Sequence, residues 1–312
     1  KFMFGPDSSS SLTIDQVKNL VIGVNQIKES LKKSEPKNIK NISTLKDMFG
    51  KSLCVNKKLF KGHKIIVIGD THDSPKIEQD RFVWIGKYIK ESKPDYIIQI
   101  GDWASFDSLS YFQKNSTQAG KLKDAYMVDI ESMRRSIDLL DKNINNDRIP
   151  RHVTFGNHEQ RVFKFEEQIP EIQGMMKKEL YDSFDTRGWK HSPYGAFKNI
   201  AGVSFTHCPL NIMGKEYGGK NCEIQIANDA TNDIVFGHTH KFRDWKAPKI
   251  GDKNFVRVVN VGCALPFNHV EEYAKLNLTG WSWGIVELGI WDNHIQESQF
   301  ISMDRLEKQY GL

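Results

Sequence analysis

The chain has only four cysteines in 312 residues, Cys54, Cys208, Cys222 and Cys263, and no CxxC pair among them. That scarcity excludes a disulfide-framework domain and a thiolate zinc finger, and leaves reduced thiols as the expectation. Long apolar runs are lacking too. No stretch approaches the roughly 20 residues that cross a bilayer, and the N-terminus lacks the charged start, apolar middle and small-residue cleavage site of a leader. The expectation is a soluble, cytoplasmic protein that does not enter a membrane. Internal repeats and long low-complexity segments are also missing, which excludes solenoid and fibrous classes. What remains is a chain of globular composition, 39% hydrophobic, long enough for one sizeable domain with an appendage.

The net charge of +5 is unevenly placed. Residues 1–61 carry twelve lysines against five acidic residues, a balance of +7, so the rest of the chain sums to −2. Within the basic segment, Val17, Leu20, Val21, Val24, Ile27 and Leu31 recur at helical spacing behind a capping box of Thr13 and Gln16. Pro36 ends that pattern, and STLKDMFG reads as a short helix closed by Gly50. Residues 1–61 are therefore expected to form a basic helical extension, and 62–312 the main domain. The extension is a candidate contact for nucleic acid or a partner protein, although a lysine-rich solvated segment is the commoner use of such a sequence.

From Lys64 onward strands and helices alternate. KIIVIGD is followed by a helix through RFVWIGKYIKESK, then DYIIQIGD, a helix around DIESMRRSIDLLDKN, and HVTFGN. The rhythm predicts βαβ units and an α/β fold with a largely parallel sheet. Further strands are predicted at GVSFTHC, DIVFGHTH and FVRVVNVG, with a closing antiparallel pair in WGIVELGIW and HIQESQF.

The polar residues fall where these strands stop. KIIVIGD ends on Asp70 with His72 two residues on, and DYIIQIGD ends on Asp102. HVTFGN leads to Asn157 and His158, GVSFTHC to His207, and DIVFGHTH to His238 and His240. In open α/β sheets the C-terminal strand edge is where ligands bind. One histidine after a strand is usually an ordinary hydrogen-bonded residue, but five strand ends carrying Asp, His and Asn form a pattern. Imidazole, carboxylate and amide oxygen suit borderline divalent cations without any thiolate. Asp70, His72, Asp102, Asn157, His207, His238 and His240 are too many donors for one tetrahedral ion, whereas two ions sharing a carboxylate would use them all. Two ions roughly 3.5–4 Å apart can hold a hydroxide and clamp an in-line displacement at phosphorus. The expected chemistry is phosphate-ester hydrolysis.

The ordered set DTH at 70–72, GD at 101–102, GNHE at 156–159, His207 and GHTH at 237–240 resembles the calcineurin-like metallophosphoesterases. Each motif alone is weak; their joint order and spacing are specific. The resemblance implies a sandwich of two mixed β-sheets flanked by helices. It also implies one ion on Asp70, His72 and His240, another on Asn157, His207 and His238, and Asp102 bridging them. His158 falls at the family's acid or charge stabiliser. Manganese, iron, zinc, nickel and cobalt all suit the donors, with manganese favoured.

Protein phosphatases of the family carry Asp-Arg-Gly soon after GD and an arginine before GNHE, whereas GDWASFDSLS and Phe155 stand here. The layout looks most like poorly characterised phage-encoded members. The expected function is a phosphodiesterase on DNA, RNA or nucleotides. The alternatives are a phosphomonoesterase or phosphoprotein phosphatase, and a scaffold that keeps the fold without catalysis. Trp103 is a candidate cleft wall or packing residue. Arg161 and Lys241 are candidate phosphate contacts, with ordinary solvated charge as the commoner alternative. Trp281, Trp283 and Trp291 are expected to pack in or on a late strand.

Overall fold

The computed structural model describes residues 62–110, 125–251, 254–271, 274 and 280–311. All lie in the second of the two units into which the chain divides, Lys61–Leu312. The N-terminal helices expected in residues 1–61 lie outside the described residues.

The first strand, β1 (His63–Ile68), shows why its sequence is an unbroken β-branched run: Ile65 through Ile68 have no exposed surface. Successive side chains of a strand point to opposite faces. Ile66 and Ile68 join a core with Phe82, Ile85, Ile89, Ile130 and Ile137, while Ile65 and Val67 join one with Val203, Phe205, Val235 and Val259. The strand is thus covered by helices on one face and a second sheet on the other. Both faces demand apolar residues.

The first sheet continues in parallel from β1 through β2 (Tyr96–Gln99), β3 (Arg151–Thr154) and β4 (Trp189–Ser192). On the other side of β1 it adds the antiparallel hairpin β10 (Gly284–Trp291) and β11 (His294–Ser302). Helices α1 (Asp80–Ser92) and α2 (Tyr126–Ile144) bury one apolar stripe each against this sheet. The second sheet has the order β5 (Lys198–Ile200), β6 (Val203–Phe205), β7 (Ile234–Phe236), β9 (Phe255–Val261), β8 (Phe242–Pro248). Its centre, β6-β7-β9, is parallel and its two edges antiparallel. Helix α5 (Cys222–Asp229) packs on its outer face. Three shorter helices, α3 (Glu159–Gln168), α4 (Met175–Asp185) and α6 (Met303–Tyr310), complete the helical layer.

Two mixed sheets flanked by helices are the architecture expected above, and every strand and helix predicted from Lys64 onward is present. Strands β4, β5 and β8 were not anticipated. All three are edges, and β8 exposes Arg243, Asp244, Trp245 and Lys246. Edge strands carry charge that prevents further pairing, which removes the apolar signal that marks a central strand. Among the described residues, no helix is long and apolar enough to cross a membrane.

Candidate metal centre

Each motif sits on the turn leaving a parallel strand. Four of the candidate donors adopt left-handed backbone: His72 at φ +41°, Asp102 at +51°, His238 at +69° and His240 at +59°. That region costs a residue with a Cβ on the order of 1 kcal/mol or more, and such outliers cluster at functional sites. The strain is held in place by cross-loop bonds. Thr71 and His72 both donate their backbone N–H to Asp102 O, at 3.1 and 2.9 Å, so the two aspartate turns are locked together.

The side chains then converge. His72 Nε2 lies 3.0 Å from His240 Nε2, which lies 3.1 Å from Asp70 Oδ2. On the other side, Asn157 Oδ1 lies 3.0 Å from His207 Nε2 and 2.9 Å from His238 Nδ1. Asp102 Oδ2 stands between the groups, 3.8 Å from His72 Nε2 and 3.3 Å from His207 Nε2. All seven predicted donors therefore meet at one place. Asp70 and Asp102 are buried, as are His72, His207 and His240.

The donor chemistry fits cations. His207 Nδ1 lies 2.9 Å from the carbonyl of Ile100, an acceptor, so the ring proton is on Nδ1 and the Nε2 lone pair faces the oxygens of Asn157 and Asp102. An acceptor turned toward acceptors is unfavourable unless a positive ion lies between them. Ionisation agrees. Burial raises Asp70 to about 6, and burial with the nearby Asp70 charge raises Asp102 to about 7. Burial lowers His240 to about 4; burial first, then the neighbouring His158, holds His72 well below the ordinary value. Neutral imidazoles and proton-hungry carboxylates are the state that a bound cation stabilises.

Glycine makes the close approach possible. A Cβ on Gly156 would stand 2.1 Å from Asp102 Oδ1, and one on Gly237 would stand 2.4 Å from Asp70 Oδ1. Both positions accept only hydrogen. The glycines of GNHE and GHTH thus admit the two aspartates.

His158 is adjacent to the cluster. Its backbone N–H donates to Asp102 Oδ1 at 2.8 Å, and its Nδ1 donates to Ser105 O at 2.7 Å. Nε2 is left facing Asp102 Oδ2 at 3.9 Å and accepts from Arg161 Nη2 at 3.2 Å. Burial, then the Arg161 charge, holds this imidazole well below its ordinary value.

Several side chains differ from expectation. Arg161 is no solvated charge: its side chain is only 17% exposed and also donates to Ser105 O at 2.8 Å. Of the two readings of Trp103, packing holds: it is fully buried, stacks on Phe82, and donates to Ser136 Oγ at 2.8 Å. Its sequence neighbour Asp102 turns one way and the indole the other, into the helix core. Trp281 and Trp283 precede β10, and Trp281 meets the His240 ring edge-on at 4.3 Å. Trp291 ends β10, and Lys241 is half-buried at the entry to β8. One residue was missed. Glu159, fully buried, accepts from the backbone N–H of Asp102, Trp103 and Gly156 at 3.0, 2.7 and 2.8 Å. The only signal was its place in GNHE.

Residues 63–242, more than half of the chain, match the calcineurin-like phosphoesterase family, and the chain belongs to that family. No curated protein matches the chain at a significant level. Among solved structures, the chain is similar to wild-type Vps29 of Entamoeba histolytica complexed with zinc, at 12% identity, 77% of this chain, 99% of that chain and a TM-score of 0.32. It is also similar to a purple acid phosphatase from yellow lupin (Lupinus luteus) seeds, at 10% identity, 77% of this chain, 54% of that chain and a TM-score of 0.29. Family and site together define a metal-dependent phosphoester hydrolase.

Proposed function

We propose that the protein is a phosphodiesterase acting on nucleic acid or nucleotides with two divalent cations, manganese favoured. Asp70, His72 and His240 would hold one, Asn157, His207 and His238 the other, and Asp102 both. The observation that carries this reading is the position of Asp102 Oδ2, between two donor groups that each supply three further side chains. When bound, such a pair supplies Lewis acidity at phosphorus and an activated water.

The chain's own residues do the rest. Ser105 O and the Asp102 carboxylate fix the ring and backbone of His158. Its Nε2, on the cluster side, holds a lone pair, and in the proposed reaction it takes a proton from solvent and passes it to the departing oxygen. Arg161 brings positive charge to the same edge, where it stabilises charge on that oxygen. The diester preference is supported at Phe155, where protein phosphatases of the family carry arginine. Its ring is buried against Phe184, Tyr181 and His191. A monoester dianion needs more positive charge than a diester monoanion, and that position supplies none.

The test is a matrix of divalent metals against a chromogenic monoester, a chromogenic diester, cyclic nucleotides and DNA. Manganese should support diester turnover above monoester turnover. Faster monoester turnover with every metal would overturn the diester reading, and no turnover with any metal would leave a metal-binding scaffold.

A further inference from the structure

The outward edge of His238 meets donors that the strand-end cluster does not use. Cys208 follows β6 and is buried. Glu216 lies on the returning arm of a short hairpin closed by the Leu210–Glu216 bridge. Asn211 fixes the turn: its backbone N–H donates to Lys215 O at 2.8 Å, and its side-chain oxygen accepts from the N–H of Met213 and Lys215 at 2.9 and 3.0 Å. Tyr194 O–H donates to one oxygen of Glu216, and the other stands 3.7 Å from His238 Nε2. The Cys208 sulfur, a Glu216 oxygen and a His238 nitrogen all lie within 4.8 Å of one another.

We propose that Cys208, Glu216 and His238 form a thiophilic-cation site, for Zn²⁺ or a similar ion, that competes with the catalytic cluster for the imidazole of His238. The inference rests on the metal-holding role given to His238 above. Thiolate, imidazole and carboxylate together suit zinc, cadmium or cobalt, whereas manganese and magnesium favour oxygen. Three protein donors leave a fourth position for water, the usual count for an open zinc site.

Competition follows from the ring. A neutral imidazole has one nitrogen lone pair and one N–H. Nδ1 faces Asn157 Oδ1 at 2.9 Å, and Nε2 faces Glu216. With Nε2–H turned to the carboxylate, Nδ1 serves the catalytic cluster; with a cation on Nε2, the ring proton transfers through solvent to Nδ1. The new sulfur–metal bond releases the Cys208 proton to water. A buried thiol gives up its proton to an ion that binds sulfur strongly, which is what restricts the site to thiophilic cations. By linkage the antagonism is reciprocal: catalytic ions weaken the outer site to the extent that it weakens them.

Cobalt separates the two sites in the full chain. The catalytic donors are all oxygen and nitrogen, so ions there give only weak d–d absorption, while an ion on Cys208 gives an intense sulfur-to-cobalt charge-transfer band. Wild type should show both. Cys208→Ser should lose the charge-transfer band, and Glu216→Gln should need about tenfold more cobalt to reach it, the scale expected when one metal partner is weakened. Both variants should keep the d–d absorption and manganese-supported turnover, and both should be about tenfold less sensitive to zinc inhibition. A charge-transfer band that survives Cys208→Ser, or its absence from a wild type whose d–d absorption is present, would overturn the outer site. Equal zinc sensitivity in all three proteins would overturn the competition. Absence of both absorptions would overturn the metal-holding role of His238 itself, and the outer site with it.

Discussion

Glu159 is the residue on which the geometry of the centre turns most directly. It opens α3, is fully buried, and joins the turn after β2 to the turn after β3 by accepting three backbone N–H groups. Glu159→Ala leaves all three donors without a partner. A buried orphan costs about 1–3 kcal/mol, so three would cost roughly 3–9 kcal/mol before any relaxation. Two effects reduce that. Water can reach the space left behind, and removing the acid relieves its own burial, which with the Asp102 charge raises the carboxyl to about 7. A net destabilisation of about 2–5 kcal/mol is expected, in the range of a broken buried network. Glu159→Gln keeps the shape and one acceptor oxygen but turns an NH₂ toward one of the donors, so its loss should be smaller, about 1–2 kcal/mol.

Urea unfolding of the metal-free protein measures this as a shift in midpoint at constant slope. Metal titration supplies the second reading: Asp102 holds φ +51° within that network, so its carboxylate should be misplaced and affinity should fall at least about tenfold. The reasoning fails if Glu159→Ala lies within about 0.5 kcal/mol of wild type, the range of an ordinary surface change. It fails equally if stability drops while metal affinity stays unchanged.

Asp102→Asn should lower occupancy of both ions by elemental analysis, whereas Asp70→Asn should empty mainly one; a single ion in fully active wild type would refute the shared carboxylate. His158→Ala should keep both ions while kcat falls by roughly 10²–10⁴, with a larger loss for an alkoxide leaving group than for nitrophenolate. Loss of an ion in that variant would show that the ring belongs to a metal and not to the leaving group. Proton release on metal binding should be pH-dependent. Asp70 and Asp102 are raised to about 6 and about 7, so cations displace their protons at pH 6 and find none to displace at about pH 8. The imidazoles, held low by burial, add little at either pH. Affinity should therefore climb through pH 6–7 and level off above, and calorimetry in buffers of different ionisation enthalpy would show an unchanging proton count if the carboxylates were already ionised.

Much of this was legible because two-sided burial writes itself into composition. β1 reads Ile65-Ile66-Val67-Ile68 since helices cover one face and a sheet the other, and the charge begins where that cover ends. Edge strand β8 was not legible, because Arg243, Asp244 and Lys246 are what an exposed edge needs and also what a loop would have. The burial of Arg161 was not anticipated, and Trp103 stayed open between cleft wall and packing, for a related reason: burial of a guanidinium or the direction of an indole depends on which loops lie over it. Here Ser105 O and the His158 ring enclose Arg161, and α2 offers Ser136 to Trp103.

The sequence by itself determined the alternation of strands and helices, the strand ends at which donors appear, and the family, because all three are carried by local periodicity and short motifs. Tertiary structure alone decided which donors face one another. His72 and His240 stand 168 positions apart and meet at 3.0 Å only because β1 and β7 lie in sheets packed face to face. It also decided that Glu159 would point inward to three backbone amides and that Cys208 and Glu216 would reach the far side of His238. Those are distances between segments, set by how the sheets and loops pack, and no spacing along the chain encodes them.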